Sequence, residues 1–405
     1  MHIGSIGPRL SPRFASSCPK TQQTALESRI WHNVVVSPAV ESDLPHLSER
    51  QDPRLLRAID AVAPGTALRE GIDQIVHART GGLIVVGETE DFAFMLSGGI
   101  RLDIDYSPAM LYQVAKMDGA ILVNSDATKI TWANVQMMPD PTIHSAETGT
   151  RHRTAERISK QVDALVVAIS QRRDVVSLYL DGMKYVLQDI PSVLAKSNQA
   201  LATLDKYRSR LDELSQRLTR SEFNGNVVLY DALAVLQRSE LVSRMAVEVE
   251  RYIVELGTEG RLIEMQLEET MLGVNAERSA LIRDYSIEDT EESLQYVTEQ
   301  VAALSHQDVL DFGLLAEILG YDRKLNTLDF PIESRGYRLL GRVPRLPRLV
   351  VQKIVQQFGS LEEALRAPDE ELASVDGVGP SRAKEIREGV RRLQESVLPD
   401  RFLNT

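Results

Sequence analysis

Apolar positions along the chain follow three regimes. In the first, Leu55, Leu56, Ile59 and Val62 share one face of a helix that starts at Pro53 and stops at Pro64-Gly65-Thr66. Thr66 caps a following helix to about Arg79, with Glu70 supporting its first turn. Short apolar runs then alternate with punctuation. Leu83–Val86, Ala120–Val123, Lys129–Ala133 and Ala164–Ile169 read as strands, and Met110–Met117 as a helix. Val175–Leu180 and Tyr185–Leu187 pair as a hairpin through Asp181-Gly182. Strands and helices intermix, so residues 53–190 form an α/β domain with a mixed sheet.

The second regime begins at Pro191. Val193, Leu194, Leu201, Leu204, Leu211, Leu214 and Leu218 recur every three or four residues, and 226–256, 260–272 and 288–320 continue that way. Residues 191–330 are therefore an all-α linker or spine. The third regime, 331–405, is all-α with short Gly/Pro turns, arranged as two hairpin-like units. Residues 1–52 lack a sustained period, apart from the run Val34-Val35-Val36. They read as a flexible extension, or as the product of a misplaced start.

Charge separates the same regions. The formal net charge is −12. Residues 1–200 carry 20 basic and 22 acidic groups, 201–330 carry 13 and 25, and 331–405 carry 13 and 11. The spine holds the acidity and repels nucleic acid, whereas the tail is free to accept it. Cys18 is the sole cysteine, so neither an internal disulfide nor a cysteine zinc site forms. No apolar run approaches the ~20 residues of a spanning helix, which predicts a soluble protein without membrane contact.

Two clusters carry chemistry. Asp118-Gly119-Ala120 sets a carboxylate beside a glycine at a tight turn, where it can reach a metal while backbone approaches a ligand. Thr148-Gly149-Thr150-Arg151-His152-Arg153-Thr154 opens a helix-forming run. Free N–H groups, hydroxyls and guanidinium forks suit phosphate there, and basic residues that oppose the helix dipole are explained by a bound anion. Arginines on both sides of His152 disfavour its protonation. The chain has no Walker loop, H-E-x-x-H, G-x-S-x-G or G-x-G-x-x-G.

In the tail, Val375-Asp376-Gly377-Val378-Gly379-Pro380-Ser381-Arg382-Ala383-Lys384 fits a helix-hairpin-helix. Its glycines let a phosphate approach backbone N–H groups, Pro380 starts the second helix, and Arg382 and Lys384 add charge. Gly341–Pro347 is a second, more basic candidate, with prolines where glycines are expected.

Together these motifs, with Ala63-Pro64-Gly65-Thr66, Leu68–Gly71 and Ala133–Gln136, resemble the DNA integrity scanning proteins, a family of bacterial diadenylate cyclases. The resemblance runs from about Pro53 to Leu398. It implies condensation of two ATP into cyclic di-AMP, with two pyrophosphates released, between facing protomers of a homo-octamer. It also implies suppression of synthesis by branched DNA, such as Holliday junctions, in a cytoplasmic, nucleoid-associated protein. Carried onto this sequence, Asp118 holds Mg²⁺ or Mn²⁺. Asp118, Arg151, His152 and Arg153 are catalytic. Gly119, Met137, Thr150–Thr154 and Ser170 bind ATP, and Gly377, Gly379, Arg382 and Lys384 bind DNA. The competing reading is a non-enzymatic DNA-junction binder whose α/β domain senses nucleotide.

Overall fold

The computed structural model describes residues 52–323 and 328–397. The expected N-terminal extension, with Val34–Val36 and Cys18, lies outside the described residues apart from Asp52.

Helix α1 (Pro53–Ala61) starts where the Asp52 carboxylate accepts the Arg54 N–H at 2.8 Å. Helix α2 (Ala67–His77) starts where the Thr66 hydroxyl accepts the Arg69 N–H at 3.2 Å. Then come β1 (Gly82–Val86), α3 (Thr89–Phe92), β2 (Leu96–Ser97), β3 (Ile100–Asp105), α4 (Pro108–Val114), β4 (Ala120–Val123) and β5 (Lys129–Met137). Helix α5 (Thr150–Gln161) and strands β6 (Leu165–Ile169), β7 (Val176–Leu180) and β8 (Met183–Val186) complete the domain.

The strands form one sheet in the order β2-β5-β4-β1-β6-β7-β8, with β3 also on β5. Only β1 and β4 run parallel among these pairs, so the sheet is mixed. Both faces are covered. Ile84, Ile121 and Val167 pack under Leu55, Ile59, Ile72 and Leu111 from α1, α2 and α4. Val85, Leu122 and Val166 pack under Ala155 and Ile158 of α5 on the other side. Two-sided burial explains why the central strands read as unbroken apolar runs. The β7–β8 hairpin turns at Asp181 (φ 48°) and Gly182 (φ 76°), the mirror-image turn that matches strand twist.

Three expectations shift. The second strand of the hairpin lies at Met183–Val186, not Tyr185–Leu187. Strand β5 runs on to Met137 rather than stopping at Ala133, because a bulge at Asn134 (φ 54°) interrupts the alternation without ending the strand. Strands β2 and β3 were not expected; β3 is an edge paired with β5, and Ile100–Asp105 alternates apolar and charged residues as an edge strand does.

The spine opens with α6 (Ile190–Asn224), about 52 Å long at ~1.5 Å per residue. Asp189 caps it and Gly225, at φ 66°, ends it. Helix α7 (Leu229–Leu256) returns antiparallel, so its end meets the α/β domain. There Glu255 accepts from the Tyr185 hydroxyl at 2.8 Å and the Gln188 N–H at 3.3 Å, and the Thr258 N–H bonds Pro64 O at 3.0 Å. Helices α8 (Arg261–Met271), α9 (Val274–Tyr285), α10 (Glu291–Ala303) and α11 (Phe312–Ile318) finish the region. The expected span 288–320 is thus two helices, and α9 falls in a stretch left unassigned by spacing.

The C-terminal helices are α12 (Tyr337–Leu340), α13 (Arg348–Phe358), α14 (Leu361–Arg366), α15 (Asp369–Ser374) and α16 (Gly379–Val397). They enclose a core of their own that includes Leu339, Ile354, Phe358, Leu372 and Ile386. Among the described residues no helix is long and apolar enough to cross a membrane.

Candidate active site

Register places the start of β1, the start of β4, the end of β6 and the far half of β5 at one end of the sheet. Leu83 pairs with Ala120, Gly82 with Ile169, and Ala120 with Val135. The turns leaving this end carry Gly81, Asp118-Gly119 and Ser170, and the first turn of α5 comes down beside them.

Asp118 and Gly119 form the turn between α4 and β4, both exposed. Gly119 has φ 96°, and a Cβ there would lie 2.8 Å from Val135 O and 2.9 Å from Asn134 C. Only glycine lets this turn press on the β5 bulge, so the bulge and the turn hold Asp118 jointly.

The α5 N-terminus lies bare. Its cap is Gly149, with no side-chain cap bond and no acid in the first turn. The preceding loop is pinned to the helix body. Arg157 donates to Ile143 O (2.9 Å) and Pro141 O (3.0 Å), Lys160 donates to His144 O (3.0 Å), and Ser145 donates to Glu156 (2.5 Å). Arg153 spans the turn onto the carbonyls of Glu147 and Thr148, each at 3.3 Å. Arg151 donates to Ile169 O at 3.2 Å, and a Cβ on Gly81 would meet its guanidinium at 2.5 Å. Burial lowers the Arg151 pKa while the Asp118 charge opposes that shift, so the two expected catalytic groups sense each other. Ser170 follows the carbonyl that anchors Arg151, and its own N–H is taken by Val175 O at 2.9 Å.

His152 bonds through Nδ1 to the Tyr179 hydroxyl at 3.1 Å. Burial is the main cause of its lowered pKa; Glu147 opposes it, and Lys184, Arg151 and Arg173 reinforce it. The direction is the one expected from sequence, but burial is a larger cause than the flanking Arg151. Thr150 is exposed and Thr154 half-buried on the same helix. Met137 is 8% exposed and packs with the α5-side core beside Leu96 of β2. Gly81, Glu147, Tyr179 and Lys184 were missed in the sequence. Tyr179 lies inside an apolar strand and contacts the site only through folding.

Asp118 offers a hard carboxylate oxygen, and among the described residues no three His, Cys, Asp or Glu gather into a self-sufficient metal cage.

In the tail, Gly377 (φ 86°) and Gly379 (φ 63°) form the hairpin between α15 and α16, anchored by buried Val375 and Val378. Arg382 donates to Gly377 O and braces that turn, while Lys384 is exposed. The upstream loop differs. Gly341 is helical at φ −63°, and Arg342 turns inward to Ser215 and Glu277 at 2.7 and 2.6 Å.

Comparison with known proteins agrees with this architecture. Residues 69–184 match the model described as the DisA bacterial checkpoint controller nucleotide-binding domain, and 187–328 match the model of its linker region. The DNA integrity scanning protein DisA of Carboxydothermus hydrogenoformans is 49% identical over 345 residues, 85% of this chain and 98% of its own. That of Symbiobacterium thermophilum is 46% identical over 347 residues, 86% and 98%. That of Streptomyces coelicolor is 45% identical over 353 residues, 86% and 94%. A nucleotide-binding α/β domain of this kind, continued by this linker, is that of a diadenylate cyclase. The chain belongs to the DNA integrity scanning protein DisA family.

Proposed function

We propose that each α/β domain binds one ATP between the Asp118 turn and the first turn of α5, and that two such domains face each other in a homo-octamer. The convergence of Asp118 and Arg151 at one end of the sheet carries this reading. One chain presents one such cradle, and joining two ATP takes two.

Arg151 and Arg153 neutralise the triphosphate and the Thr150 and Thr154 hydroxyls donate to it, with the uncapped N–H groups of α5 adding donors. Ser170 lies next to the Arg151 anchor and adds a hydroxyl. Gly119 keeps the backbone close to the base, and Met137 backs that wall. Asp118 and the phosphates would hold Mg²⁺ or Mn²⁺, which supplies charge neutralisation at the reacting phosphate. The 3′-oxygen of each nucleotide forms a bond to the other's α-phosphorus, the bond to pyrophosphate breaks, and the hydroxyl proton leaves to solvent. Such transfer depends on positioning and charge more than covalent help.

Branched DNA binds through Gly377, Gly379, Arg382 and Lys384, and suppresses synthesis through the spine. The clamps at both ends of the spine support this: Glu255 and Thr258 at the cyclase, Arg338 and Glu222 at the hairpin domain. The setting is cytoplasmic and nucleoid-associated. Cyclic di-AMP production with and without a four-way junction tests the reading. A fall on adding the junction supports it, and indifference to the junction removes the regulatory half.

A further inference from the structure

We propose that Tyr179, oriented by Glu147 and Lys184, fixes His152 as the tautomer protonated on Nδ1 and reserves Nε2 as an acceptor for a hydroxyl of the bound nucleotide. This rests on the reading of α5 as the ATP cradle and adds three positioning residues to it.

The argument follows the protons along one chain of contacts. Lys184 Nζ lies 2.5 Å from Glu147 Oε1. The Tyr179 hydroxyl donates to that same oxygen at 2.9 Å. Burial works against the ionised form of Glu147, yet Lys184 and Tyr179 hold its pKa below the ordinary glutamate value, so the carboxylate only accepts. Burial and Glu147 together raise the Tyr179 pKa, so it remains a phenol with a single proton. That proton is committed to Glu147. The 3.1 Å contact between Tyr179 and His152 Nδ1 is then a hydrogen bond only if Nδ1–H donates to the phenol oxygen. A neutral ring carrying its proton on Nδ1 has a lone pair on Nε2. Among the described residues Nε2 has no partner, and it is not among the buried atoms left unbonded. The ring also packs tilted on Tyr179, with centroids 6.2 Å apart, so the same residue sets its orientation.

Two measurements on the full-length protein test this. In ¹⁵N-histidine-labelled wild type, the His152 signals are assigned by their loss in His152→Ala. Protonation on Nδ1 is expected; protonation on Nε2 overturns the proposal without any variant of Tyr179 having to fold. In kinetics, Tyr179→Phe is expected to lower kcat about 10–100-fold with little change in KM for ATP. In a His152→Ala background the same change adds less than about twofold, because Tyr179 acts only through the imidazole. An unchanged kcat in Tyr179→Phe, or an equal loss in both backgrounds, refutes the positioning role and leaves the cradle intact. Wild-type kcat in His152→Ala refutes the His152 assignment itself, and this inference with it.

Discussion

Arg338→Met tests how the hairpin domain is joined to the spine. The Arg338 guanidinium is 1% exposed and pairs with Glu222, which is fully buried. It also donates to Thr219 Oγ1 at 2.8 Å, Ser215 Oγ at 3.0 Å and Glu277 at 3.2 Å. Methionine fills much of the volume but strands the Glu222 charge, with the Tyr285 hydroxyl at 2.7 Å left as a neutral donor. Removing one partner of a buried pair costs about 3–5 kcal/mol. At ~1.4 kcal/mol per decade this is a hundred- to several-thousand-fold change in local opening. The reporters are the backbone N–H groups of Gly336, Tyr337 and Arg338, all accepted by Asp284 at 2.7–2.8 Å. Their hydrogen exchange is expected to accelerate by that factor, while amides of β1 and β6 stay protected. Adding Glu222→Gln removes the stranded charge and restores at least half of the loss. Exchange within threefold of wild type in Arg338→Met would refute the reasoning.

Three further outcomes follow from particular contacts. Gly119→Ala puts a Cβ against the Asn134-Val135 backbone at positive φ, so cyclic di-AMP synthesis is expected to fall at least tenfold, measured as kcat/KM, with the fold retained by circular dichroism. Arg382→Ala with Lys384→Ala is expected to weaken DNA binding evenly over sequences and to reduce the slope of log affinity against log salt by up to ~2, read in a salt titration. Arg342→Ala is expected to leave that slope unchanged and instead lower the melting temperature, because Arg342 pairs with Glu277 inside the molecule.

Much of this architecture is legible in the sequence because burial on both faces of a sheet writes itself as apolar runs. Leu83–Val86, Ala120–Val123 and Leu165–Ile169 are read that way, and Asp181-Gly182 marks its own turn. The basic start of α5 stands out in the sequence because it opposes the helix dipole, and folding sets it at the same end of the sheet as the Asp118 turn. Ile100–Asp105 alternates apolar and charged residues, the period of a half-exposed edge strand, so its signal is fainter than an apolar run yet present in the sequence. Other features leave no local trace. Tyr179 looks like one more core residue until folding brings it to His152. The basic tail is the most instructive case. Arg335 donates to the carbonyls of Arg283, Asp284, Ser286 and Ile287, and Arg338 and Arg342 reach Glu277, so three charges that seemed free for nucleic acid hold the spine instead.

The most direct test of the cyclase site compares wild type and Asp118→Asn incubated with ATP and Mg²⁺ or Mn²⁺, with products identified by mass spectrometry and junction binding measured on the same samples. The account predicts cyclic di-AMP and pyrophosphate from wild type, no dinucleotide from Asp118→Asn, and equal DNA affinity for both. Wild-type amounts of cyclic di-AMP from Asp118→Asn would contradict it.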